Sequence, residues 1–91
     1  MSIKFKIPKL LQEKTDGAVL IDAQGGSVQE CIADLISRYP DLEGMIMDGE
    51  DRILLKWVVY INNQSVLSSN ELSYHVKDGD IISLLPMVAG G

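Results

Sequence analysis

The last residues of the chain are the strongest candidates for chemistry. The sequence closes with LLPMVAGG (84–91), and the last five of these residues would span about 17 Å if extended, at roughly 3.3–3.6 Å per residue. Small side chains at Ala89, Gly90 and Gly91 would let this segment pass through a narrow channel in another protein. We therefore predict a flexible tail at 86–91, in which the carboxylate of Gly91 reacts. The alternative is a tail that ends in glycines by chance.

Other side chains that could act as nucleophiles, acids or metal ligands have structural explanations. Cys31 falls on the apolar stripe of a predicted helix, and Ser27 lies at the start of that helix. His75 is the one histidine of the sequence, and we expect it to be a structural histidine that is exposed or partly buried. The sequence contains no CxxC, HExxH, GxGxxG or phosphate-binding P-loop, and the DGD at 78–80 lacks the spaced oxygens of a calcium loop. We therefore predict that the chain is not an enzyme, has no catalytic residue, and binds no metal or cofactor.

Composition limits the class of protein and its partners. The 91 residues suit one domain covering 1–91, and the net charge of −5 argues against nucleic acid, for which a basic surface is expected. Five acids and no base lie in DLEGMIMDGED (41–51), either as a solvated loop or as a surface that docks a partner.

We expect neither a signal peptide nor a membrane span in this sequence. A single cysteine rules out an internal disulfide, and lysines interrupt the apolar stretches that a signal peptide would need. No apolar run approaches the roughly 20 residues of a membrane span. We expect a cytoplasmic protein with no membrane partner.

The N-terminal residues predict a pair of strands. IKFKI (3–7) alternates apolar residues with lysines, which is the period-two pattern of a half-buried strand. A polar stretch at 12–17 then leads to a second apolar segment at 18–21. We predict that 18–21 is a strand and that the polar stretch is a loop joining the two strands as a hairpin.

The clearest local pattern is a capped helix. Ser27 and Glu30 are spaced as a capping box, in which each side chain satisfies a free backbone N–H at the helix start. An apolar stripe at helical spacing follows, and Pro40 marks its end. The stripe consists of Val28, Cys31, Ile32, Leu35, Ile36 and Tyr39.

The second half of the chain predicts further strands and turns. Strands are expected at 52–55, 56–61, 65–67 and 81–85, with turns at 62–63 and 78–80. Leu72 and Tyr74 are expected to anchor the irregular segment 68–76 to the core. The nearly continuous apolar run at 81–85 predicts a central strand covered on both faces.

These elements follow the order β-β-α-β-(β)-β. They predict an α+β protein, with a mixed sheet of four to five strands packed on one α-helix.

The order of elements and the end of the chain resemble the MoaD/ThiS family of ubiquitin-like sulfur carriers. They are particularly similar to its CysO-type carriers of cysteine biosynthesis. The matching segments are IPKLLQEKTDG (7–17), DGD (78–80), Ile82 and LLPMVAGG (84–91). The family's P-x-x-G-G ending is met here with one additional small residue between Pro86 and the glycines. The resemblance implies a β-grasp fold.

The resemblance also implies a reaction carried out by partners. An E1-like adenylyltransferase of the MoeB/ThiF type would use ATP to adenylate Gly91, and a sulfur source would then replace AMP and leave a thiocarboxylate. The residues in the channel of the partner would be Pro86, Met87, Val88, Ala89 and Gly90. The acceptor would be a PLP-dependent cysteine synthase for a CysO-like carrier. For a MoaD-like carrier it would be the large subunit of molybdopterin synthase, which serves molybdenum cofactor biosynthesis.

Two other functions stay open at this stage. A ubiquitin-like modifier would pass the same activated carboxyl group to a lysine amine, and a binding subunit would act by association. In each case an apolar patch on the exposed sheet face is expected to dock the partner. The candidates lie within 57–61 and 81–85, but a one-residue change of register would exchange the exposed and buried sets.

Overall fold

The computed structural model describes residues 3–50, 52–66 and 72–86, and five strands and two α-helices lie within them. The strands are β1 (Ile3–Lys6), β2 (Leu20–Ala23), β3 (Trp57–Ile61), β4 (Gln64–Ser65) and β5 (Ile81–Pro86). The α-helices are α1 (Val28–Arg38) and α2 (Glu43–Ile46), and 3₁₀ helices cover Lys9–Thr15 and Pro40–Leu42.

The five strands form one mixed sheet in the order β2-β1-β5-β3-β4. β1 and β5 are parallel, whereas the β1–β2, β3–β4 and β3–β5 pairs are antiparallel. A β1–β2 hairpin, a crossover through α1 and a central last strand make up the β-grasp architecture of ubiquitin-like proteins. The predicted fold class and the central position of the last strand are confirmed.

Helix α1 covers one face of the sheet with its apolar stripe. Val28, Cys31, Ile32 and Leu35 are buried, while Ile36 and Tyr39 are partly buried against the same core. The sheet contributes Phe5, Ile21, Val59, Ile82 and Leu84 to this core. The stripe read from the sequence is therefore the packing face of the helix.

The start of α1 is capped as predicted. The Ser27 Oγ accepts a hydrogen bond from the Glu30 amide at 3.2 Å, and the Glu30 Oε1 accepts one from the Gly26 amide at 2.8 Å. The first two amides of the helix, those of Val28 and Gln29, donate to the backbone carbonyls of Tyr74 and Leu72 in the segment that precedes β5. The helix start is thereby attached to the chain that enters the central strand.

The connection between β1 and β2 differs from the predicted polar loop. Residues Lys9–Thr15 form a 3₁₀ helix in which Leu11 is buried. The Thr15 hydroxyl is also buried and lies within hydrogen-bond distance of the carbonyls of Gln12 and Ala18, at 3.2 and 3.1 Å. This compact turn delays the second strand, which begins at Leu20 rather than at residue 18.

The predicted strand at 52–55 is wrong. Ile53 forms an isolated bridge with Met47, and the Leu54 amide donates to the Ile46 carbonyl, so this segment pairs with the end of α2 and stays outside the sheet. Part of the acidic stretch is also helical, with Leu42 and Ile46 fully buried. Apolar residues inside the acidic stretch therefore belong to the core, and it is more than a solvated loop.

The segments on either side of residues 67–71, which lie outside the described ranges, agree with the predictions in part. β4 covers Gln64–Ser65, and Leu67 of the predicted return strand lies outside the described residues. Leu72 packs against the core as expected, whereas Tyr74 is 41% exposed and does not anchor the segment. The turn at 62–63 is confirmed, with positive φ angles of 52° and 73°. Within the described ranges, no helix has the length and apolar character needed to cross a membrane.

Candidate functional site at the end of strand β5

The strand that leads to the predicted tail is bonded to neighbours on both edges. β5 lies between β1 and β3, with Ile82 opposite Phe5 on one side and Leu84 opposite Val59 on the other. Ile82 is 0% exposed and Leu84 is 1% exposed. A strand with two ladders and a buried face has little freedom, so the position of Pro86, which precedes residues 87–91, is well defined.

A carboxylate holds the start of β5. Asp80 is buried, and its two oxygens accept hydrogen bonds from the Asn62 amide group at 2.8 Å and the Lys77 backbone amide at 3.0 Å. Asn62 in turn accepts a hydrogen bond from the Ile81 amide at 2.9 Å. The bond from Asn62, followed by that from Lys77, lowers the pKa of Asp80 below its usual value. This clamp ties the β3–β4 turn to the first residue of β5.

The last residue of β5 is Pro86, which lies opposite Trp57. Trp57 is 3% exposed, and its indole N–H donates to the Met45 carbonyl at 2.8 Å. The Lys56 ammonium lies 5.5 Å from the centroid of the Trp57 ring. The predicted tail residue Pro86 is therefore part of the sheet, supported by a tryptophan that is itself hydrogen-bonded to α2.

Most of the predicted tail lies outside the described residues. This applies to Met87, Val88, Ala89, Gly90 and Gly91. Their role stays a prediction, and Pro86 marks the point on the domain from which they continue.

The open face of the sheet, opposite α1, carries the side chains that alternate with the core residues. On β5 these are Ile81, Ser83 and Leu85, with Ile81 39% and Leu85 46% exposed. Val58 and Tyr60 of β3 lie opposite Leu85 and Ser83 in the ladder, so they share this face. The prediction that the last strand is covered on both faces is wrong, because the single helix layer covers one.

Strands β1 and β2 add charge to the open face. Lys4 forms a salt bridge with Asp22 across the two strands. Lys6 lies opposite Leu20 on one side and Ser83 on the other, and Leu20 is 52% exposed. The face therefore combines exposed aliphatic groups with lysines, a mixture that suits contact with another protein.

Cys31 and His75, to which the sequence analysis gave no catalytic role, differ in exposure. Cys31 is 0% exposed, and burial, with added effects from Asp34 and Glu30, raises the pKa of its thiol to about 11. Its assignment as a core residue is confirmed, because a buried thiol of this kind is not a nucleophile at neutral pH. His75 is exposed and forms a backbone bridge with Ser27.

The acidic stretch is partly neutralised by Arg52. The Arg52 guanidinium lies 3.2 Å from an Asp48 oxygen and 2.6 Å from a Glu50 oxygen. The backbone amide of Glu50, more than the guanidinium, lowers the pKa of Asp48. Asp51 lies outside the described residues. For the charged residues of the acidic stretch, the two interpretations, solvated surface or docking surface, stay open.

Two features of the sheet around β5 were not predicted from the sequence. The turn at 78–80 was recognised, but the link from Asp80 to Asn62 joins residues 18 positions apart, which no local pattern shows. Leu20 was predicted to lie in a strand, but its side of the sheet could not be predicted, because the apolar run at 18–21 does not alternate with polar residues. An alternation of exposure appears once β1 sets the register of β2.

Comparisons with known proteins cover nearly the whole chain. A family model described as the ThiS family matches residues 5–91. The sulfur carrier protein CysO of Mycobacterium tuberculosis is 32% identical over an alignment of 93 residues that covers 100% of both chains.

Solved structures extend the likeness to three dimensions. A chain of the Amycolatopsis orientalis BexX/CysO complex is 34% identical, with a TM-score of 0.88 and coverage of 99% of this chain and 100% of that one. The small archaeal modifier protein 1 of Methanosarcina acetivorans is 26% identical, with a TM-score of 0.83 and coverage of 99% and 96%.

Proposed function

The chain belongs to the ThiS family, and we propose from this that it is a sulfur carrier whose Gly91 is converted to a thiocarboxylate. The observation that carries the proposal is the match to CysO over the whole of both chains. In this proposal the chain is a carrier and co-substrate, and the catalysts are its partner enzymes.

The proposed chemistry starts from an unreactive group. A free carboxylate is a poor acyl donor, so an E1-like adenylyltransferase of the MoeB/ThiF type joins Gly91 to the α-phosphate of ATP and releases pyrophosphate. A sulfur nucleophile, hydrosulfide in the simplest case, then attacks the acyl carbon and AMP departs. The product is a C-terminal thiocarboxylate, whose sulfur is a good nucleophile once an acceptor enzyme aligns it with an electrophile.

The described residues support the proposal through position. β5 is bonded on both edges and reaches Pro86 beside the buried Trp57, so a tail at 87–91 would leave from a rigid base. Such a tail reaches about 17 Å at roughly 3.3–3.6 Å per residue. The open face beside this base offers Val58, Tyr60 and Leu85 for docking. In the proposal the residues held in the channel of the partner are Met87, Val88, Ala89 and Gly90.

The likeness to CysO favours a CysO-like acceptor. We propose that the sulfur goes to an activated serine derivative on a PLP-dependent cysteine synthase, in the cytoplasm where ATP and reduced thiols are available. Delivery to the large subunit of molybdopterin synthase is the alternative acceptor within the same chemistry.

Intact mass spectrometry tests the proposal. The chain is incubated with its cognate activating enzyme, ATP and a sulfur donor, and we expect a mass gain equal to the exchange of one oxygen for sulfur at Gly91. A variant lacking Gly91 is expected to stay unmodified and to keep its far-ultraviolet circular dichroism spectrum. ATP consumption without the mass gain would contradict the proposal.

Conjugation to proteins is a second candidate, favoured by the likeness to the Methanosarcina acetivorans modifier protein. The adenylate would then pass to a lysine amine and form an isopeptide bond, with release of AMP. Cell extracts would show slowly migrating conjugates of the tagged chain that disappear when Gly91 is deleted. Their absence under conditions that yield thiocarboxylate would exclude this second role.

A further inference from the structure

Strand β2 lies at one edge of the sheet, so half of its backbone groups point away from β1. The Ile7 amide donates to the Val19 carbonyl at 2.8 Å, which shows that the odd-numbered residues of this strand bond to β1. The backbone N–H and C=O groups of Leu20 and Asp22 therefore point outward. An edge of this kind is a template on which another strand can pair.

Two side chains of α1 hold outward groups at the end of this edge. The Arg38 Nη2 donates to the Asp22 carbonyl at 2.5 Å. The Asp34 Oδ2 accepts a hydrogen bond from the Gln24 amide at 3.1 Å. Arg38 and Asp34 also form an ion pair with each other at 2.8 Å. Each of the two side chains thus occupies an edge group and fixes the position of the other.

The 3₁₀ helix that precedes β2 holds the other end of the edge. The Ala18 amide donates to the Thr15 carbonyl at 3.0 Å, and the Thr15 hydroxyl lies 3.1 Å from the Ala18 carbonyl. Between the two ends, the outward N–H and C=O of Leu20 have no hydrogen-bond partner among the described residues. A strand that paired with both Leu20 and Asp22 would have to displace Arg38 from the Asp22 carbonyl.

Exposed apolar side chains lie at the same position. Val19 is 51% exposed and Leu20 is 52% exposed. An edge with open backbone groups and aliphatic side chains in water is prone to pair with another chain. The contacts made by Arg38 and Asp34 therefore act against a reaction that the strand itself favours.

The edge is complementary to a second copy of itself. In an antiparallel pair of β2 strands centred on Ile21, Leu20 of each copy would lie opposite Asp22 of the other. The two pairs would exchange backbone hydrogen bonds and would be related by two-fold symmetry. Lys4 forms a salt bridge with Asp22 and neutralises it, so charge would not keep the two edges apart.

We propose that Arg38 and Asp34 protect the β2 edge and keep the domain monomeric. Without these two side chains, two copies pair through β2 and their sheets become continuous. The inference does not depend on the proposed function, since it concerns the folded domain alone and needs no enzyme for its test.

The oligomeric state of a double variant tests the inference. In the edge variant, Asp34→Ala with Arg38→Met, both side chains that hold the edge are removed. The control is Asp48→Ala with Arg52→Met, which removes another Asp–Arg ion pair of the same spacing, outside the sheet, with the same net charge. Light scattering coupled to size exclusion is measured from about 1 μM to about 1 mM, and we expect the edge variant to dimerise at concentrations at least about tenfold lower than wild type or control. Circular dichroism confirms that the variants are folded.

Hydrogen exchange shows whether the dimer forms through β2. The Leu20 amide of the edge variant should exchange at least about tenfold more slowly in the dimer, because it becomes hydrogen-bonded. Adding Leu20→Pro to the edge variant removes this donor and should restore the monomer. Proline is compatible with an edge strand where the missing N–H faces away from the sheet.

Three results would overturn the inference. They are an edge variant that stays monomeric up to about 1 mM, equal dimerisation of the control variant, and a dimer in which exchange of the Leu20 amide is unchanged. If the edge variant does not fold, Arg38→Met alone is measured against Arg52→Met with the same expectations, because Asp34 then still accepts from the Gln24 amide.

Discussion

Leu84 and Leu85 are chemically identical neighbours on β5, yet they belong to different regions of the molecule. Leu84 is 1% exposed on the face covered by α1, whereas Leu85 is 46% exposed on the open face. The Leu84 side chain packs into the core, where Leu84 lies opposite Val59, whereas the Leu85 side chain is exposed on the open face just before Pro86. One central strand therefore packs into the core on one side and, in the proposed function, meets a partner on the other.

The comparison shows how a small sheet with one helix layer keeps a buried core and leaves its other face open. α1 covers one face, and that face holds the buried set including Phe5, Trp57 and Ile82. The open face needs no second layer, because lysines and Asp22 on β1 and β2 keep it compatible with water. Truncating the same residue type on the two faces should then have separable consequences.

The largest expected effect is on the core side. Leu84→Ala should lower the free energy of unfolding by about 2–5 kcal/mol, because it removes buried methyl groups and leaves a cavity between sheet and helix. Urea unfolding followed by fluorescence of the single tryptophan, Trp57, measures the loss. A loss no greater than that of Leu85→Ala would break the distinction between the two faces.

Disrupting the clamp formed by Asp80 at the start of β5 should lower the free energy of unfolding by an intermediate amount that depends on pH. Asp80→Asn places an amide donor where the carboxylate accepts from the Asn62 side chain and the Lys77 amide, and should cost about 1–3 kcal/mol at pH 7. The folded-state pKa of Asp80 is lowered, so its contribution is present above the unfolded pKa of about 3.9 and is lost as pH falls through the lower folded pKa.

The difference between wild type and Asp80→Asn should therefore shrink below about pH 4, in line with the unfolded reference value. Urea unfolding at several pH values provides the test, with Asp78→Asn as the control, since Asp78 lies on the same turn and is exposed. If the difference in free energy of unfolding between wild type and Asp80→Asn stayed constant at acidic pH, the charge of Asp80 would not hold the strand.

The smallest effect on stability is expected on the open face. Leu85→Ala should change the free energy of unfolding by about 0.5 kcal/mol or less, because half of the side chain is already in water. It should nevertheless weaken binding to the activating enzyme by about tenfold, as truncation of an apolar anchor does at an interface. Titration calorimetry with the activating enzyme measures this, and unchanged affinity would remove Leu85 from the docking surface.

Local patterns predicted the elements whose determinants lie close together in the chain. Ser27 and Glu30 cap α1 as their spacing indicates, and the stripe that begins at Val28 faces the core. The alternation in 3–7 gave the correct faces of β1, because period two leaves no ambiguity. The strand at 52–55 failed for the opposite reason, since Ile53 is apolar but pairs with Met47 across a turn and finds no place at a sheet edge.

By itself the sequence determined the order of elements, the capped helix and the family to which the chain belongs. The tertiary structure alone decided that Leu85 and Leu20 are exposed, that Asp80 holds Asn62, and that Arg38 of α1 bonds the Asp22 carbonyl at the edge of β2. The physical reason is distance along the chain. A cap or a stripe forms between residues a few positions apart, whereas burial of one face over the other depends on which strands pair and on where the single helix layer lies.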